Sequence, residues 1–75
     1  MEDEIQDKLE EIYNIYIDVK YKDENLYKIY VKLSDEKAFC IPFLYDKRGT
    51  LEANITELKN RIDRNIVNLF KKVYN

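Results

Sequence analysis

Hydrophobic and polar residues alternate along the first half of the chain. Of the seventeen odd-numbered positions from 13 to 45, all but four carry apolar or aromatic side chains. The exceptions form two short breaks, at Asp23 and Asn25 and at Asp35 and Lys37. Because the side chains of a strand alternate between two faces, a pattern that resumes in phase after each break predicts three strands of one antiparallel sheet.

The predicted strands cover residues 13–22, 26–33 and 38–45, with their odd-numbered side chains in the core. The segment Asp23-Glu24-Asn25 is predicted to form a three-residue hairpin loop, with Asn25 in the left-handed conformation that this type of loop needs. Pro42 lacks a backbone N–H, so the third strand should lie at an edge of the sheet and the second at its centre. The predicted strand order is therefore 1-2-3.

A helical period flanks the strands on both sides. Ile5, Leu9 and Ile12 share one side of a predicted short N-terminal helix. After the strands, apolar residues recur at spacings of three and four and predict a long helix whose stripe covers the sheet: Leu51, Ile55, Leu58, Ile62, Ile66, Leu69 and Val73. Thr50 is the predicted N-cap of this helix, and Asn54 marks an alternative, later start.

Together these elements predict an α+β fold of the order α-β-β-β-α. A three-stranded antiparallel meander is packed on one face by the long C-terminal helix, and the short acidic N-terminal helix packs beside that helix. The 75 residues are enough for one domain, spanning 1–75. No apolar N-terminal segment resembles a signal peptide or membrane span, and the single cysteine, Cys40, has no partner within the chain, so we expect a cytoplasmic protein without membrane contact.

Residues with catalytic or ligating chemistry are scarce. The chain has no histidine, one cysteine and one glycine. A Ser-His or Cys-His pair, a zinc site and a glycine-rich phosphate loop each need residues that are missing here. Cys40 lies on a strand beside apolar neighbours, which is typical of an inert structural cysteine. We therefore expect neither an enzyme nor a bound cofactor or metal.

Charge is unevenly distributed along the chain, although the net charge is only −2. Residues 1–12 carry six acids and one lysine, whereas residues 46–75 carry four acids and seven bases. The helix dipole favours anions in the first helical turn, which accounts for the first three acids without any partner. The alternative is that the acidic end binds a protein with a basic surface through Glu2, Asp3, Glu4, Asp7, Glu10 and Glu11.

The even-numbered residues of the strands form a second sheet face, which we expect to be exposed at least in part. If Tyr21 pairs with Tyr27, the same register places Lys20 opposite Lys28, a mildly unfavourable arrangement that suggests an acidic partner. Tyrosines interleaved with lysines suit nucleic acid, a protein contact or an ordinary solvated face. The nucleic-acid candidates on this face are Tyr16, Lys20, Lys28, Tyr30 and Lys32.

The long helix offers two further surfaces. Arg61, Arg64 and Lys71 fall on the side away from the apolar stripe and form a second candidate for phosphate contact. An apolar strip between these two sides either receives the first helix or stays exposed and supports a homodimer. The strip consists of Val67, Phe70 and Tyr74.

The order helix, three antiparallel strands, helix resembles the double-stranded RNA-binding domain. That family has a Gly/Pro/His-type loop between its first two strands, where this chain has Asp23-Glu24-Asn25. It opens its second helix with a lysine cluster, which Lys47-Arg48 before Gly49-Thr50 matches only loosely, and its RNA-contacting first helix is acidic here. The resemblance therefore implies a shared topology without a transfer of RNA binding.

Small size, missing catalytic groups and a charged end favour a non-enzymatic protein-binding module. The leading hypothesis is a phage- or plasmid-type inhibitor that blocks a host nucleic-acid-handling enzyme by occupying its basic surface, in the style of anti-CRISPR proteins. Frequent Ile, Lys, Asn and Tyr are typical of AT-rich genomes and agree with a mobile-element origin. A nucleic-acid-binding module is the first alternative, and a homo-oligomeric structural protein is the second.

Overall fold

The computed structural model describes residues 1–74, with side chains described for residues 1–71. Three antiparallel strands in the order β1-β2-β3 form one sheet, as predicted. Both helices contribute buried side chains to the same core on one side of this sheet. The elements are α1 (Glu2–Ile12), β1 (Tyr16–Asp23), β2 (Leu26–Lys32), β3 (Ala38–Leu44) and α2 (Leu51–Tyr74).

The β1–β2 hairpin closes through a two-residue turn, so the predicted three-residue loop is wrong. Asp23 pairs with Leu26, and the turn residues Glu24 and Asn25 have φ angles of 40° and 68°. Positive φ at both turn residues suits the right-handed twist of the flanking strands. The left-handed conformation predicted for Asn25 is confirmed, but Glu24 shares it, and an irregularity between Tyr21 and Asp23 absorbs the difference in register.

The strand register places like residues side by side across the sheet. Tyr21 lies opposite Tyr27, and Lys20 lies opposite Lys28, as the alternation predicts. The odd-numbered positions of all three strands face the helices and supply most of the core. The buried hydrophobic residues are Ile5, Leu9, Ile17, Val19, Tyr27, Ile29, Val31, Ile41, Phe43, Ile55, Leu58 and Ile62.

Two side chains predicted to face the core are exposed at the ends of their elements. Ile12 is the last residue of α1 and is 42% exposed. Tyr21 is 50% exposed near the hairpin turn, where its ring meets the edge of the buried Tyr27 ring at a centroid distance of 5.3 Å. Both residues lie at the margin of the contact between the helices and the sheet. The alternation of apolar residues in the sequence extends past the part of each element that is buried in the core.

β1 starts at Tyr16, three residues later than predicted, because Tyr13 is used to connect the two helices. The hydroxyl group of Tyr13 donates a hydrogen bond to the carboxylate of Asp63 and lies 3.1 Å from the carbonyl oxygen of Lys59. The Lys59 ammonium binds the same carboxylate at 2.8 Å. The end of α1 is thereby attached to the middle of α2.

Thr50 is the N-cap of α2, because its hydroxyl oxygen accepts a hydrogen bond of 3.0 Å from the N–H of Ala53. The alternative start at Asn54 is wrong. Asn54 is buried inside the helix, and its amide group accepts from the N–H of Asp46 at 2.7 Å and donates to the carbonyl oxygens of Asp46 and Thr50. This one side chain ties the β3–α2 loop to the first turn of the helix.

Each edge of the sheet is protected in a different way. β1 turns the N–H groups of Val19 and Tyr21 away from β2, and they donate to the side chains of Gln6 and Glu2 of α1. On β3, the residues that face away from β2 include Pro42, which has no N–H to offer to another strand. Neither edge therefore presents a full row of free hydrogen-bonding groups.

Candidate functional site

Five acidic residues lie together on the exposed side of α1. At about 100° per residue they fall opposite the buried Ile5 and Leu9. Every one of them is exposed, and none has an ion-pair partner within the part of the chain that the structure describes. We call this surface the acidic arc, and it consists of Asp3, Glu4, Asp7, Glu10 and Glu11.

Glu2 belongs to the fold and not to this surface, although the sequence pattern groups it with the other acids. It is half-buried, and its carboxylate accepts the hydrogen bond from the N–H of Tyr21. A carboxylate used to cover a strand edge has fewer free lone pairs for a partner. The sequence contains no signal for this role, because it depends on how α1 lies against β1.

Glu10 and Glu11 lie where the helix itself disfavours them. The last turn of α1 holds no basic residue, and its free carbonyl groups carry partial negative charge. Acids at a helix C-terminus cost a few tenths of a kcal/mol each, to about 1 kcal/mol. The helix dipole thus explains the acids of the first turn, as expected, but leaves Glu10 and Glu11 without a structural reason.

The second face of the sheet is not covered by either helix. Tyr16 is 61% exposed, Tyr30 is 37% exposed and Leu44 is 67% exposed. We call this surface the open sheet face, and it consists of Tyr16, Asp18, Lys20, Lys28, Tyr30, Lys32, Ala38, Cys40, Pro42 and Leu44.

Three lysines and one carboxylate carry the charge of the open sheet face. Lys20 lies 3.6 Å from Asp18, and Lys32 lies 3.4 Å from Asp35 in the following turn. Both pairs are largely solvated and hold their partners weakly. Lys28 has no ion-pair partner among the described residues. Because three lysines outnumber one carboxylate, the open sheet face is basic, whereas the exposed side of α1 is acidic.

A shallow groove of about 310 Å³ crosses one end of this face. Tyr16 and Tyr30 line it from β1 and β2, and the other lining residues include Lys32 of β2 and Cys40 of β3. Tyr16 is opposite Lys32, and Tyr30 is opposite both Asp18 and Cys40, so the two tyrosine side chains are diagonal neighbours. The sequence-predicted sheet residues are therefore brought together on one surface.

The basic residues of α2 form a separate surface. Arg64 and Lys71 are exposed and Arg61 is half-buried. They belong to the helix that packs on the inner side of the sheet, so they cannot share one binding site with the open sheet face. The two sets of nucleic-acid candidates are alternatives and not parts of one site.

The apolar strip on the flank of α2 is not covered by α1. Val67 and Phe70 are exposed, and the ammonium of Lys37 lies 4.7 Å from the centroid of the Phe70 ring. With 24 residues α2 is about 36 Å long, against about 25 Å for the strands, so its last turns extend past the sheet. The side chain of Tyr74 lies outside the described residues.

Within the described chain, no helix is long and apolar enough to span a membrane. No three His, Cys, Asp or Glu residues among those described are grouped as metal ligands would be. Comparison with protein-family models, with curated proteins and with solved structures finds no match for this chain. The chain thus presents an acidic surface on α1 and a basic surface on the side of the sheet that the helices leave uncovered.

Proposed function

We propose that the protein is a non-enzymatic protein-binding module that uses the acidic arc of α1 to bind a basic surface of another protein. The arc presents five carboxylates on one side of a helix, with no base of the described chain paired to them. Charge of one sign on one surface speeds association with a partner of opposite charge and selects against other partners.

One observation carries this proposal: Glu10 and Glu11 occupy the last turn of α1, where the fold gains nothing from them and the helix dipole disfavours them. A residue that stabilises the fold is explained by that contribution alone, and this explanation does not apply to Glu10 and Glu11. Acids that oppose the local electrostatics are better explained by a contact outside the chain.

The packing of α1 supports a role as a rigid binding element. Its inner side is held by the buried Ile5 and Leu9, its edge by the hydrogen bonds that Gln6 and Glu2 accept from β1, and its end by Tyr13. A partner therefore meets carboxylates whose backbone is already fixed, which lowers the entropy lost on binding.

The chemistry of the arc also suggests the class of partner. A row of carboxylates resembles a phosphate backbone in charge, so a surface that evolved to hold nucleic acid is a suitable target. We extend the proposal to a phage- or plasmid-type inhibitor that blocks a host nucleic-acid-handling enzyme, the hypothesis that size and composition favour. Such an inhibitor acts by occupying the enzyme's basic surface and needs no catalytic group.

The test is capture of host proteins on the immobilised protein after nuclease treatment. We expect the wild type to retain a protein with a basic surface, and the triple variant Asp7→Lys, Glu10→Lys, Glu11→Lys to lose it. These positions are exposed and face away from the core, so the circular dichroism spectrum should stay unchanged.

The matched control is Asp35→Lys, Glu36→Lys, Glu57→Lys, which changes the net charge equally at exposed positions outside α1. This variant should retain the partner. The proposal is wrong if the α1 variant binds the partner as well as the wild type does, or if the control loses it equally, since net charge alone would then be responsible.

A further inference from the structure

We infer that the open sheet face binds single-stranded nucleic acid, with bases stacked on Tyr16 and Tyr30 and phosphates held by Lys20, Lys28 and Lys32. This site lies on the side of the sheet opposite the helices and uses none of the acidic arc. It is therefore a second binding activity, independent of the proposed function.

The aromatic side chains of the open sheet face are exposed to solvent. Two aromatic rings that project from a sheet without any covering element are a hydrophobic surface in contact with water: Tyr16 is 61% exposed and Tyr30 is 37% exposed. Because both sheet edges are protected, by α1 side chains and by Pro42, a partner approaches through the face and not by adding a strand.

Two lysines of the open sheet face repel each other. Lys20 and Lys28 lie directly opposite each other, and like charges at such a pair destabilise a sheet. Asp18 offsets only one of them, through a solvated contact of 3.6 Å. A polyanion bound across β1 and β2 removes this repulsion, and it also meets Lys32 next to the groove.

Aromatic rings and positive charges alternate across the open sheet face. As diagonal neighbours on adjacent strands, Tyr16 and Tyr30 have backbone positions about 7–8 Å apart, close enough for two successive bases of one strand. Each ring lies beside a lysine, since Tyr16 is opposite Lys32 and Tyr30 lies between Lys28 and Lys32 along β2. This alternation suits a polymer that carries one planar ring and one anion in every unit.

An acidic protein fits this face less well. Protein interfaces place their apolar residues at the centre and their charges at the rim. Here the most exposed aliphatic residue, Leu44, lies at a corner of the face, and the Lys20–Lys28 pair lies near the middle. A duplex also fits less well, because its bases are stacked on each other and offer no free face to Tyr16 or Tyr30.

The probes are fluorescent 12-mers of thymidine and uridine, which share the chemistry and separate DNA from RNA, and a duplex of equal length. We expect both single strands to bind more tightly than the duplex at 50 mM salt. With about three phosphates neutralised, affinity should fall about 20-fold between 50 and 200 mM salt.

Two variants separate stacking from charge. Tyr30→Ala should weaken binding about tenfold or more while leaving the salt dependence unchanged, since base stacking carries no net charge. Lys28→Gln should lower the slope of log affinity against log salt by about 0.7. The charge-matched control, Arg64→Gln on α2, should leave both the affinity and its salt dependence unchanged. The triple α1 variant should still bind the single strands through the open sheet face, and its only difference should be a weaker repulsion of the anion.

Three results would overturn the inference: no binding of either 12-mer at 50 mM salt, binding that Arg64→Gln weakens but Tyr30→Ala and Lys28→Gln do not, or equal binding of poly-glutamate with no dependence on Tyr30. The last result would identify an acidic protein as the partner. Circular dichroism of each variant establishes that the fold is retained, so a loss of binding reports on the surface.

Discussion

The contact of Tyr13 with Asp63 makes the junction between the two helices sensitive to pH. Burial, followed by the hydrogen bond and the nearby charge of Asp63, raises the pKa of Tyr13 above its ordinary value of 10.0. Hydrogen bonds from Lys59 and Tyr13 lower the pKa of Asp63 below its ordinary value of 3.8, against a smaller opposing effect of burial. The hydrogen bonds of this junction are therefore complete only while Tyr13 is protonated and Asp63 is ionised.

The direction of each effect on stability follows from linkage. The folded state holds the Tyr13 proton more tightly than the unfolded state, so this contribution is present below pH 10 and is lost as pH rises above it. The folded state holds the Asp63 proton less tightly, so that contribution is lost as pH falls below about 4. We expect Tyr13→Phe to cost about 1 kcal/mol at pH 7 and to flatten both ends of the profile.

Urea unfolding between pH 3 and pH 11 measures this profile. Other tyrosines and lysines also titrate above pH 10, so the decisive quantity is the difference between wild type and Tyr13→Phe. A difference that stays constant across this range would contradict the role of the junction.

Asn54 is the residue on which the β3–α2 loop depends. Its amide satisfies the N–H and carbonyl groups of Asp46 and a carbonyl of Thr50. We expect Asn54→Ala to lower the free energy of unfolding by about 1–3 kcal/mol, because these partners lose their hydrogen bonds near the core. Asn60→Ala, at an exposed position of the same helix, is the control and should change it by less than about 0.5 kcal/mol.

Among the elements, α1 has two functions in the fold: it closes the core with Ile5 and Leu9, and it covers the free edge of β1. The second function depends on Gln6, which accepts from the N–H of Val19 at 3.1 Å. We expect Gln6→Ala to increase the amide hydrogen exchange rate of Val19 severalfold while that of Ile29, in the central strand, changes little. Equal rates at Val19 in both proteins would show that α1 does not protect this edge.

The strands and their faces were predictable from the sequence because burial on one side enforces a period of two, and the period survives both turns. The pairing of Lys20 with Lys28 followed directly, because a hairpin register that matches Tyr21 with Tyr27 leaves no other choice. The long apolar stripe and Thr50 likewise identified α2 and its start.

The prediction of the first turn was wrong for a local reason: Glu24 and Asn25 include no glycine, so the sequence pattern favours the longer loop. The other differences arise where contacts between distant segments decide the structure. The use of Glu2 and Gln6 on β1, and of Asn54 on the loop, requires two segments to be placed in space. A polar side chain that forms a hydrogen bond with the backbone of a distant segment produces no periodic pattern in the sequence.

For the candidate surfaces, the sequence predicted which strand residues share a face of the sheet but not how the charged residues group in space. Knowing the inner face was enough to predict that Tyr16 and Tyr30 belong to the opposite one. Whether a helix covers that face depends on which side of the sheet the helices pack. The apolar stripe of each helix does not determine this. The structure separates Glu2 from the other acids and Arg64 from the sheet lysines, so the charged residues fall into three separate surfaces: the acidic arc, the open sheet face and the basic side of α2.

At the scale of the whole molecule, placing both helices on one side of a three-stranded sheet creates two unlike exteriors. The helical side carries the acidic arc, and the other side carries tyrosines, lysines and the groove. The two proposed binding activities are compatible with each other, because the acidic arc and the open sheet face do not overlap. An inhibitor of a nucleic-acid-handling enzyme would gain from both contacts.

The inferred binding of nucleic acid depends on the open sheet face being free in solution, and the reactivity of the single cysteine measures that directly. Cys40 is exposed in the groove beside Tyr30. Its reaction rate with an aromatic disulfide reagent is compared in native buffer and in 6 M guanidinium. We expect the native rate to lie within roughly tenfold of the unfolded rate, since an exposed thiol has no barrier to attack. Native protection of a hundredfold or more would mean that this face is covered, and would contradict an open sheet face that is free to bind nucleic acid.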